Sequence, residues 1–365
     1  MPLKVALLPG DGIGPEVTAE AARLLTRVAD LYGHPVHFST HAIGGEAIER
    51  HGRPLPDETL AACLDADAVL LGAVGHPRYE NRPPAERPEA GLLALRKALG
   101  GFANLRPALC HPPLVDRTPF RADRVQGVDI LIVRELLGGI YFGEPRGFSS
   151  PDAAFNTLAY SRPEVERIAR VAFDLARGRR RRVASVDKAN VLETSRLWRT
   201  VVTEVARDYP DVALEHVYID TCAMRLATAP ASFDVILADN LFGDILSDQA
   251  ASVAGSLGVL PSASIGGQVD LYEPVHGSAP DIAGQGLANP IGAIASAAML
   301  LRLTGGRPHE ADVLDRAIET ALAAGARTRD LAAPGERVLT TREMGEAIEH
   351  ALVDIHDHQH AYHAV

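Results

Sequence analysis

Three sets of side chains define the chemistry open to this sequence. Arg96 lies in the helical pattern GLLALRK, Arg106 ends the strand-like FANLR, and Arg134 ends the apolar run DILIV just before Glu135. Three guanidiniums converging on one point would grip carboxylates through forked, paired contacts that lysine cannot imitate. Strand ends favour that role, because open α/β sheets bind ligands at the carboxyl ends of their strands. The alternative for each is a surface or salt-bridge arginine. The second set is acidic: in Asn240-Leu-Phe-Gly-Asp244-Ile-Leu-Ser-Asp248 the spacing of four puts Asp244 and Asp248 on one helix face. Their mutual repulsion would be relieved by a hard cation such as Mg²⁺ or Mn²⁺, with Asp220, at the end of LEHVYI, as a third carboxylate. The alternative is that Asp244 caps a helix end and Asp248 is solvated. The third set is Tyr141, in Gly138-Gly-Ile-Tyr-Phe-Gly143, with Lys188, after RVASVD. A lysine beside cationic or desolvating neighbours gives up its proton near neutral pH, and a tyrosine can then donate one. Structural roles stay open for both.

Two glycine-rich segments differ in content. Gly10-Asp-Gly12-Ile-Gly14 falls between a strand and a helix, but it is neither GxGxxG nor followed by Gly-Lys-Ser/Thr. Neither the Rossmann fingerprint nor a P-loop is met, and a tight turn is the simpler reading. Glu273-Pro-Val-His276-Gly-Ser278-Ala-Pro-Asp281-Ile-Ala-Gly284 combines turn residues with His, Ser and two carboxylates, as a nucleotide-clasping loop would. The run Ala176-Arg-Gly-Arg-Arg-Arg-Arg182 reads as a solvated helix end, where the dipole favours positive charge.

The elements that must position these groups alternate between short aliphatic runs and patterns of period near 3.6, the signature of parallel βαβ construction. Strands are expected at Val5–Leu8, Asp67–Val74, Gly127–Val133, Arg182–Val186, Leu214–Ile219 and Phe233–Leu237. One helix should run from Pro15 to Ala29. Another should open at Pro163, bury Val165, Ile168, Ala169, Ala172 and Leu175, and close at Gly178. Asn289 as a cap and Pro290 in the first turn predict a third, to about Leu303. The segment His76–Pro88, with four prolines, reads as a loop, either a lid or plain surface. The tail His356-Asp-His-Gln-His360 with His363 reads as a frayed, solvated terminus rather than a metal trap.

Length and composition bound the rest. A chain of 365 residues, 47% hydrophobic and 23% charged, folds on its own and by default divides into two domains. A net charge of −11 disfavours nucleic acid and anionic membranes, so anionic ligands must be met by local arginine clusters. Cys63, Cys110 and Cys222 are odd in number and widely spaced, which fits a reducing cytoplasm. The start Met1-Pro-Leu-Lys leaves no room for a leader, and no run approaches the ~18 apolar residues of a membrane span.

The segments LLPGDGIGPEV, GLLALRK, FANLRP, RELLGGIYFGEPRG, SVDKANVLE, NLFGDILSD, GSLGVLPSAS and LYEPVHGSAPDIAG occur in order over nearly the whole chain. Together they resemble the 3-isopropylmalate dehydrogenases, within the isocitrate/isopropylmalate family of β-decarboxylating dehydrogenases. The resemblance implies an α/β, two-domain fold with a mixed, mostly parallel central sheet that is not a Rossmann fold. It implies a discontinuous cofactor-binding domain, 1–101 with 255–365, and an inserted domain, 102–254, for substrate, metal and dimerisation.

It also implies roles: Arg96, Arg106 and Arg134 hold substrate carboxylates, Asp220, Asp244 and Asp248 hold Mg²⁺ or Mn²⁺, and Tyr141 and Lys188 form the acid–base pair. Leu92, Leu93 and Val191 would wall an isopropyl group, which counts against D-malate, tartrate and homoisocitrate as preferred substrates. Ile13, Glu273, His276, Gly277, Ser278, Ala279, Asp281, Ala288 and Asn289 would contact NAD, and Asp281 with Ile282 would disfavour a 2′-phosphate. Lys188, Val191 and Asp220 would reach into a partner subunit's site, making a homodimer with shared active sites in leucine biosynthesis. Leu137, Asp239 and the HPRYENRPPAERP loop depart from the family pattern, which bears on metal affinity and loop behaviour. A magnesium phosphotransferase lacks its loop lysine here, and a dead regulatory subunit would have lost part of the catalytic set.

Overall fold

The computed structural model describes the backbone of residues 2–363 and the side chains of residues 2–359. Its contacts divide the chain into two units, each an α/β layer structure built on a mixed, mostly parallel sheet. The first unit holds the residues up to Gly100, His111–Arg117 and those from Gly255 onward; the second holds Gly101–Cys110 and Thr118–Ala254.

In the first unit the strand order is Val36–Thr40, Leu3–Gly10, Ala68–Ala73, Asp270–Pro274 and Pro261–Ile265. The first four run parallel and the last is antiparallel to its neighbour. Ala68–Ala73 is buried at every residue, as a parallel strand covered on both faces must be. The edge strand Val36–Thr40 is missing from the expected set because only two of its side chains are half-buried, which leaves little apolar signal. The helix Gly14–Tyr32 begins with proline in its first turn and outruns the expected Ala29 before Gly33 closes it in the left-handed conformation. Helix Ile291–Leu303 starts one residue later than expected, with Pro290 at the cap position, and Asn289 Oδ1 accepts the Ile291 N–H at 3.0 Å.

The second unit orders Ala103–Leu109, Asp129–Glu135, Val235–Ala238, Arg182–Asp187 and Ala213–Tyr218, antiparallel at the first pair and parallel thereafter. A separate hairpin pairs Gly147–Ser150 with Ala153–Phe155, every residue exposed, Phe148 at 81%. Helix Arg162–Arg177 buries Val165, Ile168, Ala169 and Ala172 as expected, and Phe173 and Ala176 in addition. Ser161 and Glu164 close a capping box at its start.

Several expectations are corrected. Leu175 is only partly buried, and Gly178 ends the helix in right-handed geometry (φ −80°), while Arg181 takes the left-handed one (φ 58°). The basic run is solvated at the helix end as expected, with Arg177, Arg180, Arg181 and Arg182 exposed, but several of its guanidiniums are paired. Arg177 pairs with Asp211, Arg179 with Asp234 and Asp129, and Arg180 donates to the carbonyls of Asp129 and Phe233. Those guanidiniums are consumed in stitching the crossover to strand ends. The segment His76–Pro88 contains 3₁₀ turns Pro77–Tyr79 and Pro84–Glu86, with Tyr79 buried and Arg82 over its ring at 4.9 Å. The tail is not frayed, since helix Thr341–His363 continues through it; His356 sets its ring edge against Tyr32, and the side chains of His360 and His363 lie outside the described residues.

Candidate active site

The charged site of the second unit is assembled at two strands and one helix. Arg134, near the end of Asp129–Glu135, is 4% exposed, and a charge so buried must be paired on every side. Its Nη1 meets Asp244 Oδ1, while Nε and Nη2 donate to Asn240 Oδ1 at 3.1 and 2.7 Å. Tyr141, on the 3₁₀ turn Gly139–Tyr141, donates its hydroxyl proton to Asp244 Oδ2 at 2.6 Å with its ring 5.4 Å from the Arg134 guanidinium carbon. Burial first, then the Asp244 carboxylate, raises the tyrosine pKa, so at neutral pH its oxygen holds a proton.

Arg106 lies in the middle of Ala103–Leu109 rather than at its end, which corrects the sequence reading. It still reaches the site: Nη1 donates to Ser247 Oγ at 2.8 Å and to Asp248 at 3.4 Å, and lies 3.7 Å from Asp244, with Nε fixed on Asn104 at 2.9 Å. Asp244 and Asp248 share a face of helix Asn240–Ala251, as their spacing requires. The capping alternative for Asp244 does not hold. Asp239 is the cap, accepting the Phe242 N–H at 2.7 Å, a bond worth about 1 kcal/mol. Burial, with Glu135 adding to it, pushes the Asp239 pKa up to about 6.

Lys188 and Asp220 form a second cluster, ion-paired to each other. Lys188 follows strand Arg182–Asp187, its backbone N–H bonded to Ser195 Oγ at 3.0 Å. Asp220 sits in the first turn of helix Ile219–Thr228, not at a strand end, and the Lys188 hydrogen bond holds its carboxyl below the usual range. Lys188 thus faces a carboxylate, where the sequence reading considered cationic or desolvating neighbours. Among the described residues no three His, Cys, Asp or Glu side chains gather as a metal-holding group. Val191 ends the Lys188 turn, 62% exposed.

In the first unit Arg96, in the last turn of helix Pro88–Leu99, is ion-paired with Glu273, on strand Asp270–Pro274. Leu92 packs partly into the core beside Leu95 and Leu99, while Leu93 stands 46% exposed; only the latter offers its side chain freely as a pocket wall. A cavity of about 440 Å³, the size of an ordinary ligand pocket, is lined by Ile13, His276, Asp281, Ile282, Ala288 and Asn289. Its rim is built on backbone. The Ile13 N–H donates to Ser278 O at 2.8 Å, and a Cβ at Gly12 would lie 1.9 Å from that oxygen. Glycine is thus required there for close approach, beyond the needs of a turn. Asp11 holds the turn down, accepting the N–H groups of Gly45, Glu46 and Gly75.

Ala279 adopts φ 37°, strained for an L-residue and a mark of a constrained loop, with exposed Gly277 two positions before it. His276 Nδ1 bonds the Gly277 carbonyl at 2.9 Å, its Nε2 is buried without a hydrogen-bond partner, and burial lowers its pKa, leaving a neutral ring atom for a ligand.

Sequence reasoning missed Asp330, which lines the same cavity and accepts from Asn289 Nδ2 at 3.0 Å and Ser256 Oγ at 2.5 Å. It lies 41 residues beyond Asn289, so no local spacing signals it. Asn104, Ser247 and Asn240 were missed likewise, because each acts by holding an arginine.

The chain belongs to the isocitrate/isopropylmalate dehydrogenase family, whose model matches residues 4–348. It is 55% identical over 355 residues to the 3-isopropylmalate dehydrogenase of Geobacillus kaustophilus, covering 96% of each chain. It is 57% identical to that of Salinibacter ruber, covering 94% of each. Among solved structures, isocitrate dehydrogenase from Methylococcus capsulatus superposes with a TM-score of 0.84 at 37% identity, covering 96% of this chain and 99% of that one. A β-decarboxylating dehydrogenase from Thermococcus kodakarensis gives 0.80 at 38%, covering 96% of each. The chain is accordingly an oxidoreductase acting on a small molecule, and no helix among its described residues is long and apolar enough to cross a membrane.

Proposed function

We propose that this enzyme oxidises and decarboxylates 3-isopropylmalate to 4-methyl-2-oxopentanoate and CO₂, with NAD and Mg²⁺ or Mn²⁺, in the cytoplasmic synthesis of leucine. The observation that carries this reading is the Arg134–Asp244–Tyr141 constellation, which puts a carboxylate-binding guanidinium, a hard oxygen donor and a held proton within hydrogen-bond reach of one another. Relatives sharing more than half their residues bear the corresponding name.

Both bound groups fit the residues present. The partnerless His276 Nε2 and the Asp281 carboxylate suit the nucleoside of NAD, and a carboxylate repels the extra phosphate of NADP. Asp244 and Asp248 offer hard oxygens one helical turn apart, the donor set of Mg²⁺ or Mn²⁺. When bound, NAD supplies the hydride acceptor and the cation a Lewis acid for the substrate oxygen.

The chain's own residues do the rest. Arg106 and Arg134 grip substrate carboxylate oxygens, and Val191 meets the isopropyl group. Lys188, in its neutral amine form, takes the hydroxyl proton as that carbon is oxidised. The bond to the departing carboxylate then breaks, and Tyr141 delivers its hydroxyl proton to the carbon left behind. The first unit acts as the cofactor-binding domain and the second as the substrate, metal and dimerisation domain. Lys188, Val191 and Asp220 serve the site of a second copy of the chain.

The test is NADH formation by the purified protein with each cation, comparing 3-isopropylmalate with D-malate, isocitrate and homoisocitrate. Preference for 3-isopropylmalate, abolished by EDTA and lost with NADP, is expected. Preference for another acid would overturn the substrate assignment.

A further inference from the structure

The second unit contains a buried amide that touches no reacting atom, yet bonds both to Arg134 and to the turn that carries Tyr141. Asn240 is 1% exposed and begins helix Asn240–Ala251, which bears Asp244. Its Oδ1 accepts both Arg134 Nε and Nη2, and its Nδ2 donates to Leu136 O at 2.9 Å and Gly138 O at 3.0 Å. Both lone pairs and both amide hydrogens are thereby used. The orientation is fixed as well, because a flip would set NH₂ against the guanidinium and oxygen against two carbonyls.

The same turn is held from two further sides. Glu135 accepts the Gly138 N–H at 2.7 Å and the Leu137 N–H at 3.2 Å, and Arg167 bonds it from behind. Tyr160 lies where a Cβ on Gly138 or Gly139 would fall, 2.8 and 2.5 Å from its ring and hydroxyl, and its Oη accepts the Asn240 N–H at 2.9 Å. Tyr141 needs such a template. It stands 38% exposed on a single 3₁₀ turn with Gly139 at φ 73°, and has no strand or long helix of its own to fix it.

We propose that Asn240 is a positioning residue that couples Arg134 to the Tyr141 turn, so that one amide sets both the carboxylate-gripping guanidinium and the proton donor. The kinetic part of this inference rests on the function proposed above; the structural coupling does not. An aspartate at this position keeps the shape and the bonds to Arg134 but turns lone pairs toward two carbonyls, which detaches the turn.

The experiment compares full-length Asn240→Asp and Tyr160→Phe with wild type, by hydrogen exchange and by kinetics with 3-isopropylmalate. In Asn240→Asp, exchange over residues 136–143 should quicken about tenfold or more while strand Arg182–Asp187 is unchanged. The ratio kcat/KM should fall about 10²-fold, through KM and kcat together, whereas NAD affinity stays at the wild-type value. Tyr160→Phe keeps the ring but loses the hydroxyl acceptor, and should give a smaller shift in the same segment; it decides the matter if Asn240→Asp does not fold. Unchanged exchange over residues 136–143 in a folded variant overturns the coupling. Should wild type form no NADH from 3-isopropylmalate, the functional reading falls, and the exchange data alone decide the positioning.

Discussion

The two ligand-binding regions are built by opposite means. The cavity of the first unit is shaped largely by backbone: a glycine under the Ser278 carbonyl, an amide bond from Ile13 and a left-handed Ala279. The charged site of the second unit is shaped by side chains that hold one another, Arg134 on Asp244 and Asn240, Arg106 on Asn104 and Ser247. A backbone-built pocket suits a ligand recognised by shape and a few polar groups. A side-chain lattice suits a reaction in which charge and protons must sit at fixed points. The first kind should fail when a methyl group is added, the second when a functional atom is removed.

The largest effect expected from breaking this contrast lies in the second unit. Tyr141→Phe and Lys188→Ala should each lower kcat about 10²- to 10⁴-fold, the usual range for a lost proton-transfer group, with NAD affinity and thermal unfolding little changed. Steady-state kinetics beside a melting curve measures this, and near-normal turnover in either variant would remove that residue from the acid–base pair.

Next in size is Gly12→Ala. One methyl group 1.9 Å from the Ser278 oxygen, at φ 60°, must displace the loop. We expect a stability loss of about 1–3 kcal/mol and a matching weakening of NAD binding by fluorescence titration. Wild-type NAD affinity in this variant would show that the Gly12–Ser278 contact does not shape the pocket.

The smallest effect sharpens the account of the buried acids. The Asp239 pKa is raised to about 6 from 3.8, so folding favours its protonated form. That contribution is fully present below the unfolded value and is lost as pH rises through about 6. Asp239→Asn keeps a capping oxygen without the titration. It should therefore gain stability over wild type between about pH 4 and 7, by something on the order of 1–3 kcal/mol. Urea unfolding across that range checks it, and a difference independent of pH would show that Asp239 does not titrate there. Burial raises the Glu135 pKa as well.

Some of this was legible in the residues themselves. Periodicity placed the buried strands and the helix beginning near Pro163, because a 2.0 or 3.6 repeat is a local property of the chain. The spacing of Asp244 and Asp248 put both on one helix face for the same reason. The basic run after Ala176 reads as solvated, which it is, but its pairing was not legible, because Asp129, Asp211 and Asp234 are brought to it from up to 55 residues away. Capping stayed open as an alternative for Asp244 because Asp239, five residues earlier, shares its chemistry, and only backbone direction tells which carboxylate meets a free N–H.

The sequence by itself determined the α/β class and the chemical identity of the arginines, aspartates, tyrosine and lysine, since these follow from composition and short-range pattern. Tertiary structure alone decided that Asn240 reaches Arg134 across 106 positions, that Asp330 meets Asn289 in one cavity, and that Lys188 pairs with Asp220. Hydrogen bonds require atoms within about 3 Å, and no regularity of a one-dimensional chain records which distant residues the packing of strands and helices will bring that close.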